Sequence, residues 1–322
     1  RAAPPDAVAR RPLGPRLATG LAVFDTMLPV VRGQRLGVFA GSGVGKSSLL
    51  GALGRGLEAD VVVIALVGER GREVREFVER TLGPEGLSRA VVVVATSDQP
   101  PLARRRALHA AMAVAEHFRD GGRHVLMLAD SVTRFAEAHR EIALAAGEAA
   151  SLRGFPPSIA HTVMALAERA GPGDGASGGD ITAIFTVLVP GSDMDEPVAD
   201  ILRGVLDGHV VLDRAIAERG RYPAIDVLRS VSRSLPDCAT PEENAIIALA
   251  RRRMAAYAQA ELMLQSGLYS PGSDPEVDAA KAVWPALDAF AGESAPQGVA
   301  ASFDRLATCL GTRMARKQDA PA

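Results

Sequence analysis

The strongest constraint on the fold of this chain is a glycine-rich segment, Ala40-Gly-Ser-Gly-Val-Gly-Lys-Ser47, between an apolar run and a helical run. Residues 35–40 predict a buried strand, and residues 47–54 predict the start of a helix. The three glycines allow a backbone with positive φ that turns its N–H groups inward, and the helix dipole favours an anion at the same place. A strand, a glycine loop and a helix in this order therefore predict a phosphate-binding loop.

Lys46 is one of three lysines among 36 basic residues, so arginine carries almost every other positive charge. A phosphate loop distinguishes the two, because a compact ammonium fits between phosphates that a planar guanidinium would crowd. A flexible glycine turn, the alternative, explains neither this lysine nor the Ser47 hydroxyl, which is placed to reach Mg²⁺. We therefore expect ATP to bind to Gly41, Ser42, Gly43, Val44, Gly45, Lys46, Ser47 and Ser48.

Composition indicates a folded protein with room for one large domain and a smaller one. The 322 residues are 48% hydrophobic, yet no run reaches the roughly 18 uncharged apolar residues of a membrane span. The net charge of −2 argues against a general electrostatic attraction to nucleic acid. Cys238 and Cys309 have neither metal-site nor disulfide spacing, which favours a reducing cytosol and buried free thiols.

The middle of the chain, residues 21–236, predicts an α/β domain. Apolar strand candidates alternate with helical stretches and lie at residues 61–67, 90–95, 124–129, 181–189 and 209–212. Their hydrophobicity is continuous rather than alternating, which is typical of strands buried on both faces. We therefore predict a mostly parallel sheet covered by helices.

The C-terminal part, residues 237–322, predicts a helical subdomain. Thr240-Pro-Glu-Glu243 supplies an N-cap, a proline at the first helical position and a capping-box glutamate for a helix to about Gln265. Apolar residues recur at helical spacing over residues 277–290, and a last helix is predicted over residues 299–313.

Two carboxylates directly follow predicted strands, where parallel sheets bind their ligands. Asp130 ends the run 124–130 and is expected to orient the water shell of Mg²⁺, with a helix N-cap before Ser131 as the alternative. Glu69 follows the strand at residues 61–67, where a carboxylate can polarise the water that attacks a γ-phosphate. The sequence thus predicts nucleotide hydrolysis at this edge of the sheet.

Six motifs carry a resemblance to a known family, over about residues 10–310. Three resemble the α/β-subunit superfamily of rotary ATP synthases: Gly68-Glu-Arg-Gly-Arg-Glu-Val74, Tyr222-Pro-Ala-Ile-Asp226 and Ser230-Val-Ser-Arg233. Three are most similar to the flagellum-specific export ATPases of type III secretion: Phe39-Ala-Gly-Ser-Gly-Val-Gly-Lys-Ser-Ser48, Arg153-Gly-Phe-Pro-Pro-Ser158 and Gly272-Ser-Asp-Pro-Glu-Val-Asp278. The motifs are specific because they occur in combination.

The resemblance implies a RecA-like P-loop NTPase core with a known division of roles. Lys46 and Ser47 would bind the phosphates and Mg²⁺. Glu69 would be the catalytic carboxylate, and Asp130 would be the acid of the magnesium shell.

The resemblance also assigns four residues outside this central group. Arg70 and Arg134 match family arginines near the phosphates. Tyr222 matches an aromatic residue that stacks on adenine, although a core tyrosine is the alternative. Arg233 matches an arginine finger that enters the site of the neighbouring subunit, although a surface arginine is the alternative.

The family pattern differs from this chain at two places. Members carry an N-terminal β-barrel domain that helps to close a hexameric ring, and residues 1–20 would be a linker or the remnant of that domain. The start at Arg1 suggests a fragment. The acidic loop by which rotary β-subunits touch their central shaft has no counterpart in residues 266–278, which favours coupling to protein export over coupling to a proton-driven rotor.

The leading hypothesis is a Mg²⁺-dependent ATPase that works as a homo-hexamer, in the cytoplasm and peripheral at the inner membrane. By resemblance it releases chaperones from export substrates and delivers the substrates to a membrane export gate, with stalk proteins as further partners. An injectisome ATPase and a rotary ATP synthase subunit are the related alternatives.

Two other classes fit the sequence less well. A nucleic-acid motor would need basic and aromatic residues interleaved, but aromatic residues are 4% of the chain and its dense basic runs, Arg104-Arg-Arg106 and Arg251-Arg-Arg253, fall on predicted helices with a solvated face. A non-hydrolysing regulatory subunit could dispense with Glu69, so its presence argues against that class.

Overall fold

The computed structural model describes residues 3–175, 178–189 and 194–314, and in this part of the chain the fold is built on one eight-stranded sheet. The strands are β1 (Arg35–Ala40), β2 (Val61–Val67), β3 (Ala90–Ala95), β4 (His124–Asp130), β5 (Gly171–Pro172), β6 (Asp180–Leu188), β7 (Gly208–Leu212) and β8 (Ile225–Ser232). Parallel pairs join β3, β2, β4, β6, β1 and β7 in that order. At the margins, β8 is antiparallel to β7 and β5 is antiparallel to β6. The predicted mostly parallel sheet is confirmed.

The helices lie between and after these strands. The first half of the chain contains α1 (Ala22–Asp25), α2 (Lys46–Gly56), α3 (Gly71–Glu76), a π-helical turn (Phe77–Leu82), α4 (Gly83–Leu87), α5 (Pro101–Asp120) and α6 (Val132–Ala145). The second half contains a 3-10 turn (Leu152–Gly154), α7 (Ser158–Ala167), α8 (Pro197–Val205), α9 (Arg214–Glu218), α10 (Pro241–Gln265), α11 (Pro275–Phe290) and α12 (Val299–Cys309). None of the described helices is both long and apolar enough to cross a bilayer.

Two apolar clusters cover the two faces of the sheet, because successive residues of a strand point to opposite sides. In β4, Leu126 and Leu128 join one cluster, while Val125 and Met127 join the other. The first cluster includes residues of α1, α2, α10, α11 and α12, and the second includes residues of α5, α6, α7 and α8. The C-terminal helices therefore extend the core of the sheet. The domain boundaries at residues 20 and 236 stay a prediction.

Two edge strands depart from the sequence pattern. β8 has no counterpart among the predicted strands, because buried and exposed residues mix along it where one face packs on α10. β3 is predicted to be buried on both faces, and this is wrong: it is the last strand in the sheet order, and Val94 is 39% exposed. An uninterrupted valine run alone does not distinguish an edge strand from a central one.

Local sequence signals mark the start of α10 and the end of α12, the first and last helices of the C-terminal region. Thr240 Oγ1 accepts a hydrogen bond from Glu243 N at 3.2 Å, and the Glu243 carboxylate accepts one from Thr240 N at 3.0 Å. The predicted capping box is therefore confirmed. The last helix ends at Cys309, short of the predicted residue 313, and Gly311 follows with a φ of 69° that leaves the helical conformation.

Asp25 ties the N-terminal segment to the last helix from a fully buried position. Its Oδ1 accepts hydrogen bonds from Thr19 N and Thr19 Oγ1, each at 2.9 Å. Its Oδ2 accepts one from Ser302 Oγ on α12 at 3.2 Å. The segment before α1 is thus fixed to the core, with Leu17 and Thr19 both buried.

We predict that Asp25→Ala lowers the free energy of unfolding by about 3 kcal/mol, because buried donors of Thr19 and Ser302 lose a charged acceptor. Chemical denaturation measures the loss. Asp237→Ala, which truncates an exposed aspartate, is the control. A loss of less than about 1 kcal/mol would mean that the carboxylate is not needed to join these segments.

Candidate functional site

A cavity of about 630 Å³ lies at the carboxyl edge of the parallel strands. One wall is the loop after β1, and another is the segment of residues 68–73 after β2. Ser97 after β3 and Leu188 at the end of β6 also line the cavity, together with Arg104 of α5 and Arg134 of α6. The lining residues of the glycine loop and its helix are Gly41, Ser42, Gly43, Gly45, Lys46, Ser47 and Ser48.

The glycine loop takes the conformation of a phosphate loop at two of its three glycines. Gly43 and Gly45 have φ of 77° and 91°, whereas Gly41 does not have a positive φ, contrary to the prediction. Gly45 is the N-cap of α2 and offers no side chain as an acceptor, so the first N–H groups of that helix face the loop. The Val44 side chain is buried in the core, so Val44 contributes only its backbone to the inner surface of the loop. This arrangement suits an anion.

Lys46 lies between the Glu69 carboxylate, just after β2, and the Asp130 carboxylate, at the end of β4. Its ammonium forms an ion pair with Asp130 Oδ1 and lies 3.7 Å from Glu69 Oε1. Asp130 is buried, and its Oδ1 also accepts a hydrogen bond from Thr186 Oγ1 at 2.7 Å. The structure therefore brings these three predicted residues together, although they are far apart in sequence.

Burial raises the pKa of Glu69 to about 7, and the negative charge of Asp130 adds to this rise. The Lys46 ammonium acts in the opposite direction and partly offsets both effects. A carboxylate with a pKa near neutral can accept a proton from water and release it again at physiological pH. Glu69 therefore has the protonation behaviour of a general base.

Three arginines line the cavity, and one of them is not among the predicted site residues. Arg70 is largely exposed and pairs with Glu73 at 3.3 Å. Arg134 pairs with Glu137 at 2.9 Å, and this hydrogen bond raises the pKa of its guanidinium.

The unpredicted arginine is Arg104, in the first turn of α5. It donates to Gln99 O at 3.1 Å and to Glu141 Oε1 at 3.0 Å. The sequence interpretation of its run as a solvated face is wrong for this residue, whose side chain is 13% exposed. Its place in the first helix after β3 is the signal that could have identified it.

Tyr222 lies beside the phosphate loop. A Cβ atom at Gly45 would stand 3.1 Å from the tyrosine ring, so the ring packs directly on the loop backbone. Tyr222 is 53% exposed, which excludes the alternative of a core tyrosine. Nearby, Arg214 Nη2 donates to Ser42 O at 3.1 Å. A flat, half-exposed ring thus borders the cavity loop on the side of α9.

Arg233 does not reach this cavity. It follows β8, whose last residue, Ser232, pairs with Gly208 at the start of β7. Because β8 runs antiparallel to β7 and therefore to the six strands of the parallel set, Arg233 lies at the opposite edge of the sheet from the phosphate loop. It is exposed and donates to Arg203 O at 3.1 Å. Within one copy of the chain, the predicted finger and the predicted site are separate.

Candidate ligands for a divalent cation lie at the same place, on α2 and at the end of β4. In the described residues no group of three or more His, Cys, Asp or Glu side chains could hold a metal ion by itself. Ser47 and Asp130 offer a hydroxyl and a carboxylate, the oxygen donors that Mg²⁺ prefers, and Mg²⁺ usually completes its shell with phosphates and waters. The donor set therefore fits a magnesium ion that arrives with a nucleotide.

We predict that the nucleotide-free chain loses stability as pH rises from about 5 to about 7, because folded Glu69 then binds more protons than unfolded Glu69. The rise in the pKa of Glu69 corresponds to a loss of at most about 3 kcal/mol in the free energy of unfolding. Glu69→Gln lacks this titration, so its stability relative to the wild type should increase between pH 5.5 and pH 8. Urea unfolding at both pH values measures this, with exposed Glu79→Gln as the control. Parallel curves for Glu69→Gln and the wild type would contradict the prediction.

Two family models match consecutive parts of the chain. Residues 20–232 match the nucleotide-binding domain of the ATP synthase alpha/beta family, and residues 239–307 match the T3SS EscN ATPase C-terminal domain.

Curated relatives cover most of the chain. The flagellum-specific ATP synthase of Caulobacter vibrioides is 54% identical over 89% of this chain and 66% of its own length, and that of Treponema pallidum is 51% identical over 90% and 64%. The SPI-2 type 3 secretion system ATPase of Salmonella typhimurium is 48% identical over 91% and 67%. The chain thus spans slightly less than two thirds of the two flagellar relatives.

A solved structure agrees with the fold. The assembled ATPase EscN from the type III secretion system of enteropathogenic E. coli has a TM-score of 0.90 and 41% identity, over 96% of this chain and 74% of that one. The resemblance and the fold class predicted from the sequence are therefore confirmed. On the family models, the sequence identities and the shared fold together, the chain belongs to the ATP synthase alpha/beta family.

Proposed function

We propose that the chain hydrolyses Mg²⁺·ATP and supplies energy for protein export by a flagellar type III apparatus. The observation that carries the proposal is the convergence of Lys46, Glu69 and Asp130 beside the glycine loop. Transfer of a phosphoryl group to water uses these three groups: a cation on the phosphates, a carboxylate that positions the water, and an acid for the metal shell.

In the proposed mechanism the phosphates occupy the glycine loop, where the first N–H groups of α2 donate to them. Lys46 exchanges its carboxylate partners for the phosphates. Ser47 and Asp130 would hold the magnesium, which when bound neutralises charge on the β- and γ-phosphates. Glu69 orients the attacking water and accepts its proton, for which a pKa of about 7 is suited.

Two arginines of the cavity and Tyr222 beside the phosphate loop would bind the two ends of the nucleotide. Arg70 and Arg134 would attract the γ-phosphate and the phosphate released from it, since both line the cavity. Tyr222 would stack on adenine, which its half-exposed ring against the loop supports. Because the ring offers a flat apolar surface without base-specific hydrogen bonds, stacking alone would discriminate weakly between purines.

We further propose a homo-hexamer in which Arg233 serves the site of a neighbouring copy. The position of Arg233 at the sheet edge opposite its own cavity supports this assignment. A related ATPase, EscN, has been solved in assembled form and in complex with its central stalk EscO. By analogy, a stalk protein is a proposed partner of the ring.

In this role the ATPase would release chaperones from export substrates and deliver them to a membrane export gate, in the cytoplasm and peripheral at the inner membrane. Names of the flagellar relatives favour this role. An injectisome ATPase is the second candidate, supported by the 48% identity to the SPI-2 enzyme. Deletion of the gene separates the two, because loss of motility with intact effector secretion supports the flagellar role and the reverse supports the injectisome.

A nucleic-acid motor is not favoured by the basic runs. Arg104 faces the cavity and bonds to Glu141, and Arg251 donates to Ser230 O at 3.1 Å. Arg253 pairs with Glu276. These three guanidinium groups are engaged within the chain, and Arg106 and Arg252 are exposed one in each run, which is less than the clustered basic surface that a phosphate backbone requires.

We predict that Glu69→Gln retains ATP binding but loses at least about a hundredfold in turnover, because the amide cannot accept a proton from water. Lys46→Ala should weaken nucleotide binding as well. Binding of a fluorescent ATP analogue and release of phosphate measure the two effects, with Glu79→Gln as the control. Turnover of Glu69→Gln within about threefold of wild type, or unchanged affinity in Lys46→Ala, would overturn the assignments.

We predict that Arg233→Ala loses about a thousandfold in turnover, the lower end of what arginine fingers contribute. Mixing this variant with Glu69→Gln should restore part of the activity, because one interface in the mixture combines an intact finger with an intact carboxylate. Phosphate release from equimolar mixtures measures the rescue, and exposed Arg123→Ala is the control for the single variant. Mixtures no more active than their components would contradict a shared site.

A further inference from the structure

Thr186 lies directly behind the Asp130 carboxylate, on a strand that the motifs do not include. It is fully buried on β6, which pairs with β4. Its Oγ1 lies 2.7 Å from Asp130 Oδ1 and 3.2 Å from Ala129 O. A hydroxyl has one proton, and the shorter contact, to the charged acceptor, takes it. Asp130 Oδ1 therefore accepts hydrogen bonds from both Thr186 and Lys46.

These two donors differ in their freedom to move. Lys46 lies at the start of α2 on a flexible side chain that lines the cavity, so its ammonium can turn to an incoming phosphate. Thr186 is a β-branched residue within the central sheet, and its χ1 rotamer is restricted. When Lys46 leaves Asp130, the Thr186 hydroxyl remains bonded to the same oxygen.

We propose that Thr186 is a positioning residue that holds the Asp130 carboxylate in place while Lys46 is engaged by a nucleotide. The inference rests on the proposed function, in which Asp130 is the acid of the magnesium shell. The hydrogen bond to Oδ1 would fix the orientation of the carboxylate that is proposed to hold the magnesium shell. Thr186 would thus act on metal affinity through Asp130, without contact to the nucleotide.

Thr182 provides a matched control on the same strand. It is also fully buried, and it lies on the same face of β6 because the spacing is even. Its Oγ1 accepts a hydrogen bond from Gly33 N at 2.9 Å and lies 2.8 Å from His124 Nε2, at the amino end of the sheet. Thr182→Val therefore removes a buried hydroxyl of similar setting, far from the cavity.

The test is the factor by which Mg²⁺ strengthens the binding of a non-hydrolysable fluorescent ATP analogue, measured as Kd in EDTA divided by Kd in excess Mg²⁺. In Thr186→Val we expect this factor to fall about tenfold, equivalent to about 1.4 kcal/mol. Its Kd in EDTA should stay within about twofold of wild type, because the analogue does not touch Thr186. Thr186→Ser should keep the factor within about threefold of wild type, since it restores the hydroxyl.

Thr182→Val should keep the wild-type factor even where it lowers the unfolding temperature. An unchanged factor in folded Thr186→Val overturns the inference, as does an equal fall in Thr182→Val, which would point to general strain on β6. If Thr186→Val does not fold, Thr186→Ala and Thr186→Ser make the same comparison. A wild-type factor near one overturns both the inference and the magnesium assignment. If Mg²⁺ strengthens binding equally in the wild type and in Thr186→Val, only the inference is overturned and the proposed function stands.

Discussion

The ammonium of Lys46 lies between the two carboxylates at the carboxyl edge of the sheet and offsets their charge. Asp130 and Glu69 approach it from two neighbouring strands, and without it they would be two partly desolvated like charges side by side. Even with Lys46 present, burial and Asp130 raise the pKa of Glu69 to about 7. In the proposed mechanism a polyanion would therefore compete with the two carboxylates for the Lys46 ammonium. The carboxylates would then become available to a metal ion and to water.

This balance depends on the rigidity of the strands below it. The order of β2, β4, β6 and β1 places the ends of four parallel strands side by side, and apolar clusters fill the space on both faces. Asp130 is the last residue of the buried strand β4. Glu69 lies in the loop after β2, where backbone hydrogen bonds from Gly68 N to Ala95 O and from Ser97 N to Glu69 O fix the segment to the residues at the end of β3. The C-terminal helices share the core with α2, which carries Lys46. Packing in that region therefore bears on the phosphate loop directly.

Local signals in the sequence were sufficient for the central residues of the site. The glycine loop, Glu69 and Asp130 each follow an apolar run, so their meeting at one sheet edge follows from parallel pairing alone. The loop conformation was only partly predictable, since Gly41 does not need a positive φ where Gly43 and Gly45 do. The exposure of β3 depends on its place at the end of the strand order, which composition does not encode.

Other parts of the site depended on contacts between distant segments. Thr186 becomes a partner of Asp130 only because β6 lies beside β4. The sequence between these two strands does not indicate that they pair. Arg104 lies in a run of three arginines, and only the path of α5 over the sheet decides which of them faces the cavity. Strand order and helix orientation are tertiary properties, so the spacing of residues along the chain could not supply them.

The antiparallel course of β8 has a consequence for symmetry. It puts the phosphate loop and Arg233 on opposite edges of one sheet, so the proposed contact between the arginine of one copy and the cavity of the next would join two different surfaces. Where such a contact joins copies head to tail, each added copy presents the same unfilled surface again. An open row always leaves one terminal cavity without an arginine. In the proposed ring every cavity would receive an arginine from a neighbouring copy, so a complete set of active sites would require a complete ring.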